Sequence, residues 1–209
     1  MPTRKAFLTV VCFCCFCVSV NDGRLVAEEV ADTPSMPEVG KPLHCVIRGE
    51  ATCKLGDAPK IQVSLVNQTE VDIYLVGSLD ASDCKWRYPL CYFEVTGPDG
   101  KQVPSSIPRC GLTNPLRAKD FVKVASNDSF DPYKSVDDYG FFSAHQLSQS
   151  NFNRVGQYRI RFIYSTASDD VAKWRGNGGD AELISLLKQV PKTDVKSEEF
   201  VVKVVADEK

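Results

Sequence analysis

Hydrophobic and polar residues alternate most clearly over residues 155–165. Because successive side chains of a β-strand point to opposite faces, such a stretch buries one face and shows the other to water. The pattern predicts a central strand of an all-β domain. Its buried face would carry Tyr158, Ile160, Phe162 and Tyr164, and its exposed face Arg159 and Arg161.

The same alternation predicts shorter strands elsewhere. They cover residues 43–48, 60–67, 71–76, 91–95, 121–125 and 198–205. Only three residues separate the second from the third, which predicts an antiparallel hairpin. Residues 97–100 read Gly-Pro-Asp-Gly and predict a tight turn, because proline fixes φ and Asp-Gly accepts the positive φ that follows.

One short helix is predicted before the last strand. Asp180 would cap it and Pro191 would end it. Its apolar face would carry Leu183, Leu186, Leu187 and Val190. About seven short strands with this single inserted helix predict a two-sheet antiparallel β-sandwich.

The first residues have the pattern of an export signal. Arg4 and Lys5 precede an uncharged apolar run over residues 6–20, which is short for a membrane span. We expect a signal peptide over residues 1–20, a flexible lead-in over 21–41 and a single β-sandwich domain over 42–209. A retained membrane anchor is the alternative. The protein would then be secreted, periplasmic or in the cell envelope.

Charge excludes one large class of partner. The 209 residues include 25 Lys and Arg and 27 Asp and Glu, a net charge of −2. Nucleic-acid binders usually carry a basic face, so no nucleic-acid partner is expected. Contact with a membrane is expected only through the export signal.

Five of the nine cysteines lie outside the export signal, at positions 45, 53, 84, 91 and 110. Export predicts that some are oxidised, although five cannot all pair within one chain and the sequence does not fix the pairing. The candidate bridges are Cys91–Cys110, which flanks a hairpin-like segment, and Cys45–Cys53, which would close a short strand-turn-strand. Zinc is disfavoured because these five cysteines form no Cys-x-x-Cys pair.

No motif of a known active site occurs in the chain. The two histidines, His44 and His145, lie in no recognisable catalytic arrangement. Two acidic pairs, at positions 80 and 83 and at 137 and 138, would suit calcium chemically but lack the spacing of a calcium loop. We therefore expect no cofactor, no metal and no enzyme activity.

Two aromatic-arginine segments in predicted loops are candidate binding residues. They comprise Trp86, Arg87 and Tyr88 in one loop and Trp174 and Arg175 in the other. Aromatic residues and arginine are enriched at protein interfaces, and aromatic rings also stack on sugars or cations. The structural alternative is that each tryptophan closes one end of the core. Asn67 and Asn127 begin glycosylation signals that matter only in a eukaryotic secretory pathway.

Several motifs resemble exported bacterial immunoglobulin-like and fibronectin-type domains, which are largely of unknown function. They are N-Q-T after a strand, G-P-D-G-K, G-x-Y-x-I-x-F-x-Y and a final S-E-E-F-V-V-K-V. The resemblance implies that the Tyr158 hydroxyl bonds the backbone of an end loop. Ile160 stands where antibody domains have a cysteine, and their core tryptophan is absent. Any disulfides are therefore expected at the periphery.

The leading functional hypothesis is a non-enzymatic exported module that binds a protein or cell-envelope component through its end loops. An immunoglobulin-like protease inhibitor is the alternative, motivated by the glycine-rich residues 175–180. The inhibitor motif N-P-T-T-G is absent. An enzyme with an unfamiliar site near His145 and an unpaired cysteine is least favoured.

Overall fold

The structure, a computed structural model, describes residues 40–104, 113–132 and 147–207. These residues lie in one compact unit, Ser35–Lys209. They form one α-helix, α1 (Ala181–Leu187), and ten strands: β1 (Leu43–Gly49), β2 (Thr52–Lys54), β3 (Ile61–Asn67), β4 (Ile73–Val76), β5 (Leu90–Thr96), β6 (Phe121–Val124), β7 (Ser129–Phe130), β8 (Gly156–Ser165), β9 (Asp194–Lys196) and β10 (Phe200–Val205).

The described strands form three sheets. The first has the order β1-β3-β7, the second β2-β10-β8-β5, and the third pairs β4 with β6. All strand pairs are antiparallel except β2 with β10, which is parallel. Strand β8 pairs with β5, β9 and β10, which confirms the predicted central strand.

The two larger sheets share one hydrophobic core. Strand β8 contributes Tyr158, Ile160, Phe162 and Tyr164, all at most 1% exposed. The Phe93 and Phe162 rings meet edge to face, with 5.0 Å between their centroids. On the outer face, the two arginines of β8 form ion pairs with Glu199. The all-β prediction and the orientation of β8 are therefore confirmed.

Tyr158 ties the start of β8 to the segment before it. Its ring packs on Phe152 at 4.8 Å between centroids, and its hydroxyl accepts a hydrogen bond from the Arg154 backbone N–H at 3.3 Å. This is the backbone bond that the resemblance implied. Gly156 between them has φ +138°, and a Cβ there would lie 2.6 Å from the Pro98 Cβ. The site therefore requires glycine.

The predicted hairpin of β3 with β4 is wrong, because β3 pairs with β1 and β7 while β4 pairs with β6. The buried side chain of Asn67 explains the change of direction. Its Nδ2 donates to the carbonyl oxygens of Val71, Val124 and Ala125 at 2.9–3.2 Å. Its Oδ1 accepts from the backbone N–H and the hydroxyl of Thr69. These bonds fix a corner that directs β4 to β6.

Of the other local predictions, those of one turn and one helix cap are confirmed, and some strands were not predicted. The turn at residues 97–100 is confirmed, since the Gly100 N–H donates to the Gly97 carbonyl and Gly100 has φ +74°. The cap of α1 is confirmed, because the Asp180 carboxylate accepts from the Leu183 N–H at 3.0 Å. Strands β2, β7 and β9 lie in segments where the sequence predicted no strand. The sequence of residues 141–147, FFSAHQL, predicts a short strand or a single helical turn, but residues 141–146 lie outside the described residues.

A second hydrophobic cluster lies in the long connections. We call residues 68–89, 113–124 and 166–193 the loop layer. Two of its segments join the same end of the second sheet, because Leu90 at the start of β5 pairs with Ser165 at the end of β8. The cluster gathers six buried side chains: Val76, Leu116, Trp174, Leu183, Leu187 and Val190. The long connections therefore carry a second packed cluster, while Ile73, Leu75, Leu79 and Val124 of the same segments belong to the first core.

Candidate functional site

A buried arginine holds together the connection between β4 and β5. The Arg87 side chain is fully buried, and its guanidinium donates to the Ser78 carbonyl, the Ser78 hydroxyl at 2.9 Å and the Asn114 carbonyl at 2.8 Å. The Asp80 carboxylate accepts from the Asn114 N–H at 2.5 Å. Hydrogen bonds to charged groups are the stronger kind. They therefore anchor this connection to the segment that contains Asn114.

The same connection has an unusual backbone. Ala81 and Lys85 adopt positive φ values of 55° and 61°, and the Tyr88–Pro89 peptide bond is cis. Such left-handed residues, when not glycine, persist where surrounding contacts determine them. Next to Lys85, the Trp86 side chain is 45% exposed. The buried network thus displays a large aromatic side chain at the surface.

The five predicted binding residues divide into a surface set and a buried set. Trp86 and Arg175 are exposed and Tyr88 is half-buried, so these remain candidates. Arg87 and Trp174 are fully buried, and their assignment to the binding surface is corrected. Arg87 is buried because its guanidinium bonds backbone oxygens.

Trp174 is a buried core residue, as in the structural alternative to a binding role. Its indole N–H donates to the Ser168 carbonyl at 2.8 Å, and its ring belongs to the cluster of the loop layer. The Tyr88 ring packs against it at 5.5 Å between centroids, and the Tyr88 N–H donates to the Lys173 carbonyl at 3.0 Å. The structure therefore brings the two aromatic-arginine segments together, about 86 positions apart in sequence, which spacing alone did not reveal.

A cleft of about 410 Å³ lies beside the loop layer, on the outer face of the second sheet. Two rows of paired residues cross β5, β8 and β9 along its floor. One row aligns Tyr92, Ile163 and Lys196, and the other aligns Leu90, Ser165 and Asp194. The remaining lining residues are Lys41, Tyr88, Ala167 and Val195.

The polar groups of this cleft are largely uncommitted. The hydroxyls of Tyr88, Tyr92 and Ser165 and the carboxylate of Asp194 make no hydrogen bond within the described residues. Lys196 has a close partner, Glu94, with 2.6 Å between its Nζ and the carboxylate. The cleft thus combines aromatic rings with available hydroxyl and carboxylate groups, the composition of a small-molecule site.

Tyr92 and Ser165 are cleft residues that the sequence did not predict. The available signal was a tyrosine on the solvent-facing side of a strand whose other face reads Cys91, Phe93 and Val95. An exposed aromatic residue in such alternation is more informative than a buried one.

Two cysteines lie in the core and are poor nucleophiles. Burial raises the pKa of Cys45 to about 12 and that of Cys91 well above its usual value. No disulfide joins Cys45, Cys53 or Cys91 in the described residues, and Cys110 lies outside them. Cys45 is on the first sheet and Cys53 on the second, so this pair does not close a local hairpin. The bridges remain predictions.

The remaining chemical candidates give no described site. His145 and the acidic pair at 137 and 138 lie outside the described residues. Within residues 40–104, 113–132 and 147–207, no three His, Cys, Asp or Glu side chains gather as metal ligands. None of the helices in this part of the chain has the length and apolar character to cross a membrane. Comparison of the sequence with protein-family models and with curated proteins finds no match.

Proposed function

We propose that the protein is a non-enzymatic exported module with an immunoglobulin-like sandwich, which binds a protein or cell-envelope component through one end. The observation that carries the proposal is the loop layer. It has its own hydrophobic cluster and a buried arginine network, it exposes Trp86, and its Tyr88 lines a cleft with uncommitted polar groups. Loops held on a rigid scaffold are where proteins commonly place binding residues.

The strand order supports the immunoglobulin-like assignment. An antiparallel sheet β1-β3-β7 shares its core with a sheet that contains β10, β8 and β5 in that order. This matches the arrangement of strands A, B and E against G, F and C. The bond from the Arg154 N–H to the Tyr158 hydroxyl corresponds to the tyrosine corner of such domains. The loop layer then occupies the B–C and F–G connections, two of the three that bind antigen in antibodies.

Three of the described thiols give no support to a cysteine nucleophile. A nucleophilic cysteine needs a lowered pKa, usually from a nearby positive charge. The pKa values of Cys45, Cys53 and Cys91 are all raised, chiefly by burial. These three groups are therefore protonated near neutral pH.

The test uses the chain without its predicted signal peptide (residues 1–20), and the Trp86→Ala and Arg175→Ala variants of that protein. Val155→Ala is the matched control, because Val155 is exposed and precedes β8 at the end opposite Ser165. Each variant is immobilised, and its binding of a purified component from the cell-envelope fraction is measured by surface plasmon resonance. We expect weaker binding of the Trp86 and Arg175 variants only. Binding that is equal for all four proteins would refute the siting.

The protease-inhibitor alternative has one structural support. The exposed turn after Trp174 is pinned at its base, where the Leu116 N–H donates to the Arg175 carbonyl and the Gly176 N–H donates to the Val171 carbonyl. A pinned, exposed loop is what an inhibitor requires, because ordering on binding costs little. Titration against papain-like and subtilisin-like proteases tests it. No inhibition at micromolar concentrations would eliminate this alternative.

A further inference from the structure

The cleft on β5, β8 and β9 offers the strongest unassigned site. We infer that it binds a short saccharide, whose apolar ring face would lie on the tyrosine rings and whose hydroxyls would bond the uncommitted oxygens. This inference rests on the proposed binding function and names its ligand class. The cleft volume of about 410 Å³ lies within the range of small-molecule sites, roughly 300–1,000 Å³.

Ser165 is the most informative of these oxygens. The residue is only 6% exposed, lines the cleft and makes no side-chain hydrogen bond within the described residues. A serine hydroxyl both donates and accepts hydrogen bonds. Because Ser165 lines the cleft, its hydroxyl is available to a ligand that carries hydroxyl groups.

The register of the sheet places an acidic acceptor next to it. Asp194 pairs with Ser165 across β9 and β8, and its carboxylate is exposed with no ion pair or hydrogen bond in the described part of the chain. A carboxylate has two oxygens that accept from two donors at once. Neighbouring hydroxyls of one sugar ring supply such a pair of donors.

The aromatic walls are fixed in position before any ligand arrives. The Tyr88 ring is supported by the buried Trp174 indole, and the Lys85 ammonium lies 4.4 Å from the centroid of the Tyr92 ring. Each ring loses little side-chain freedom when a ligand binds, so less of the contact energy is spent on ordering. The two tyrosines thus form a pre-organised platform.

The floor of the cleft disfavours a peptide ligand. Extended peptides commonly bind by adding a strand at a sheet edge, where backbone groups are available. Here the floor is the face of three paired strands, which presents side chains and not a sheet edge. A ligand in this cleft must instead bond to hydroxyl and carboxylate side chains. A polyhydroxylated molecule can do so because it carries hydroxyl groups all around its ring.

The experiment screens the chain without its predicted signal peptide on an array of short oligosaccharides. Calorimetry then measures its affinity for the oligosaccharide that binds most strongly. We expect Tyr92→Ala to weaken binding by about tenfold or more, because it removes the ring platform. Ser165→Ala should weaken it by roughly three- to tenfold through one hydrogen bond. Tyr92→Phe should have a smaller effect than Tyr92→Ala, and Val155→Ala none. Thermal melting checks that each variant is folded.

The outcomes separate this inference from the proposed function. If no oligosaccharide binds, or if binding is unchanged in Tyr92→Ala and Ser165→Ala, the saccharide inference is overturned. Binding of a peptide library that depends on Tyr92 would overturn it as well. In either case, envelope-component binding that depends on Trp86 would leave the proposed function standing. Loss of that dependence would remove the proposed function independently.

Discussion

The Asn67 corner gives the sharpest stability prediction. Its side chain is fully buried and makes five hydrogen-bond contacts: the two Nδ2 hydrogens are shared among three carbonyl oxygens, and Oδ1 accepts two bonds. Each bond contributes about 1 kcal/mol net, so Asn67→Ala should cost about 3–5 kcal/mol. That is a large fraction of the 5–15 kcal/mol that typically separates folded from unfolded domains.

Asn67→Asp is the more discriminating variant, because it keeps the shape and replaces the donor by an acceptor. The new oxygen would face the carbonyls of Val71, Val124 and Ala125, which now accept from Nδ2 at 2.9–3.2 Å. Burial and these carbonyls favour the protonated acid, so the pKa of the introduced carboxyl is raised in the folded state. The destabilisation should therefore shrink as the pH falls towards about 4 and grow as the pH rises through the folded pKa.

Urea unfolding monitored by tryptophan fluorescence measures both variants, since Trp174 is buried in the folded protein. With a slope of about 2 kcal/mol per molar urea, a loss of 4 kcal/mol lowers the midpoint by about 2 M. Asn153→Asp is the control, because Asn153 is exposed. The reasoning fails if Asn67→Asp unfolds within about 0.5 kcal/mol of the wild type, or if its stability varies with pH as the control's does.

Three further predictions concern the ends and the core of β8 and its neighbours. Tyr158→Phe removes the hydroxyl that accepts from the Arg154 N–H and should cost about 1 kcal/mol in urea unfolding; no measurable loss would contradict a role for that bond. Gly156→Ala places a Cβ against Pro98 at a φ of +138° and should cost about 1–3 kcal/mol, whereas an unchanged midpoint would refute the steric argument. Because the pKa of Cys45 is raised to about 12 by burial, its neutral thiol stabilises the fold below pH 9, and this contribution is lost as the pH rises from about 9 to 12. Cys45→Ala should lose less stability than the wild type over that range, and an equal loss would be evidence against this linkage.

The strand pattern was predictable where burial follows local alternation. Residues 155–165 showed their inward and outward faces directly, and the structure places Tyr158, Ile160 and Phe162 in the core. The cap at Asp180 was equally local, because it depends on one side chain and the helix N-terminus.

The pairing of the strands and the packing of the loop layer could not be predicted from local alternation. The partner of β4 depends on the hydrogen bonds of Asn67 with residues 57 and 58 positions away, which no local pattern encodes. Arg87 looked like a surface residue because arginine is usually exposed, and only its contacts with Ser78 and Asn114 explain its burial. The cleft required the register of three strands that are distant in sequence.

The separate cluster around Trp174 has a consequence for how this protein can change. Its six buried side chains form a cluster distinct from the one that contains β8. Regions with separate cores tend to open with separate free energies. Substitutions of exposed residues such as Trp86 and Arg175 can therefore accumulate without removing a buried side chain from either cluster. Natural or engineered variants of new specificity should be found in the connections, while the residues under β8 stay as they are.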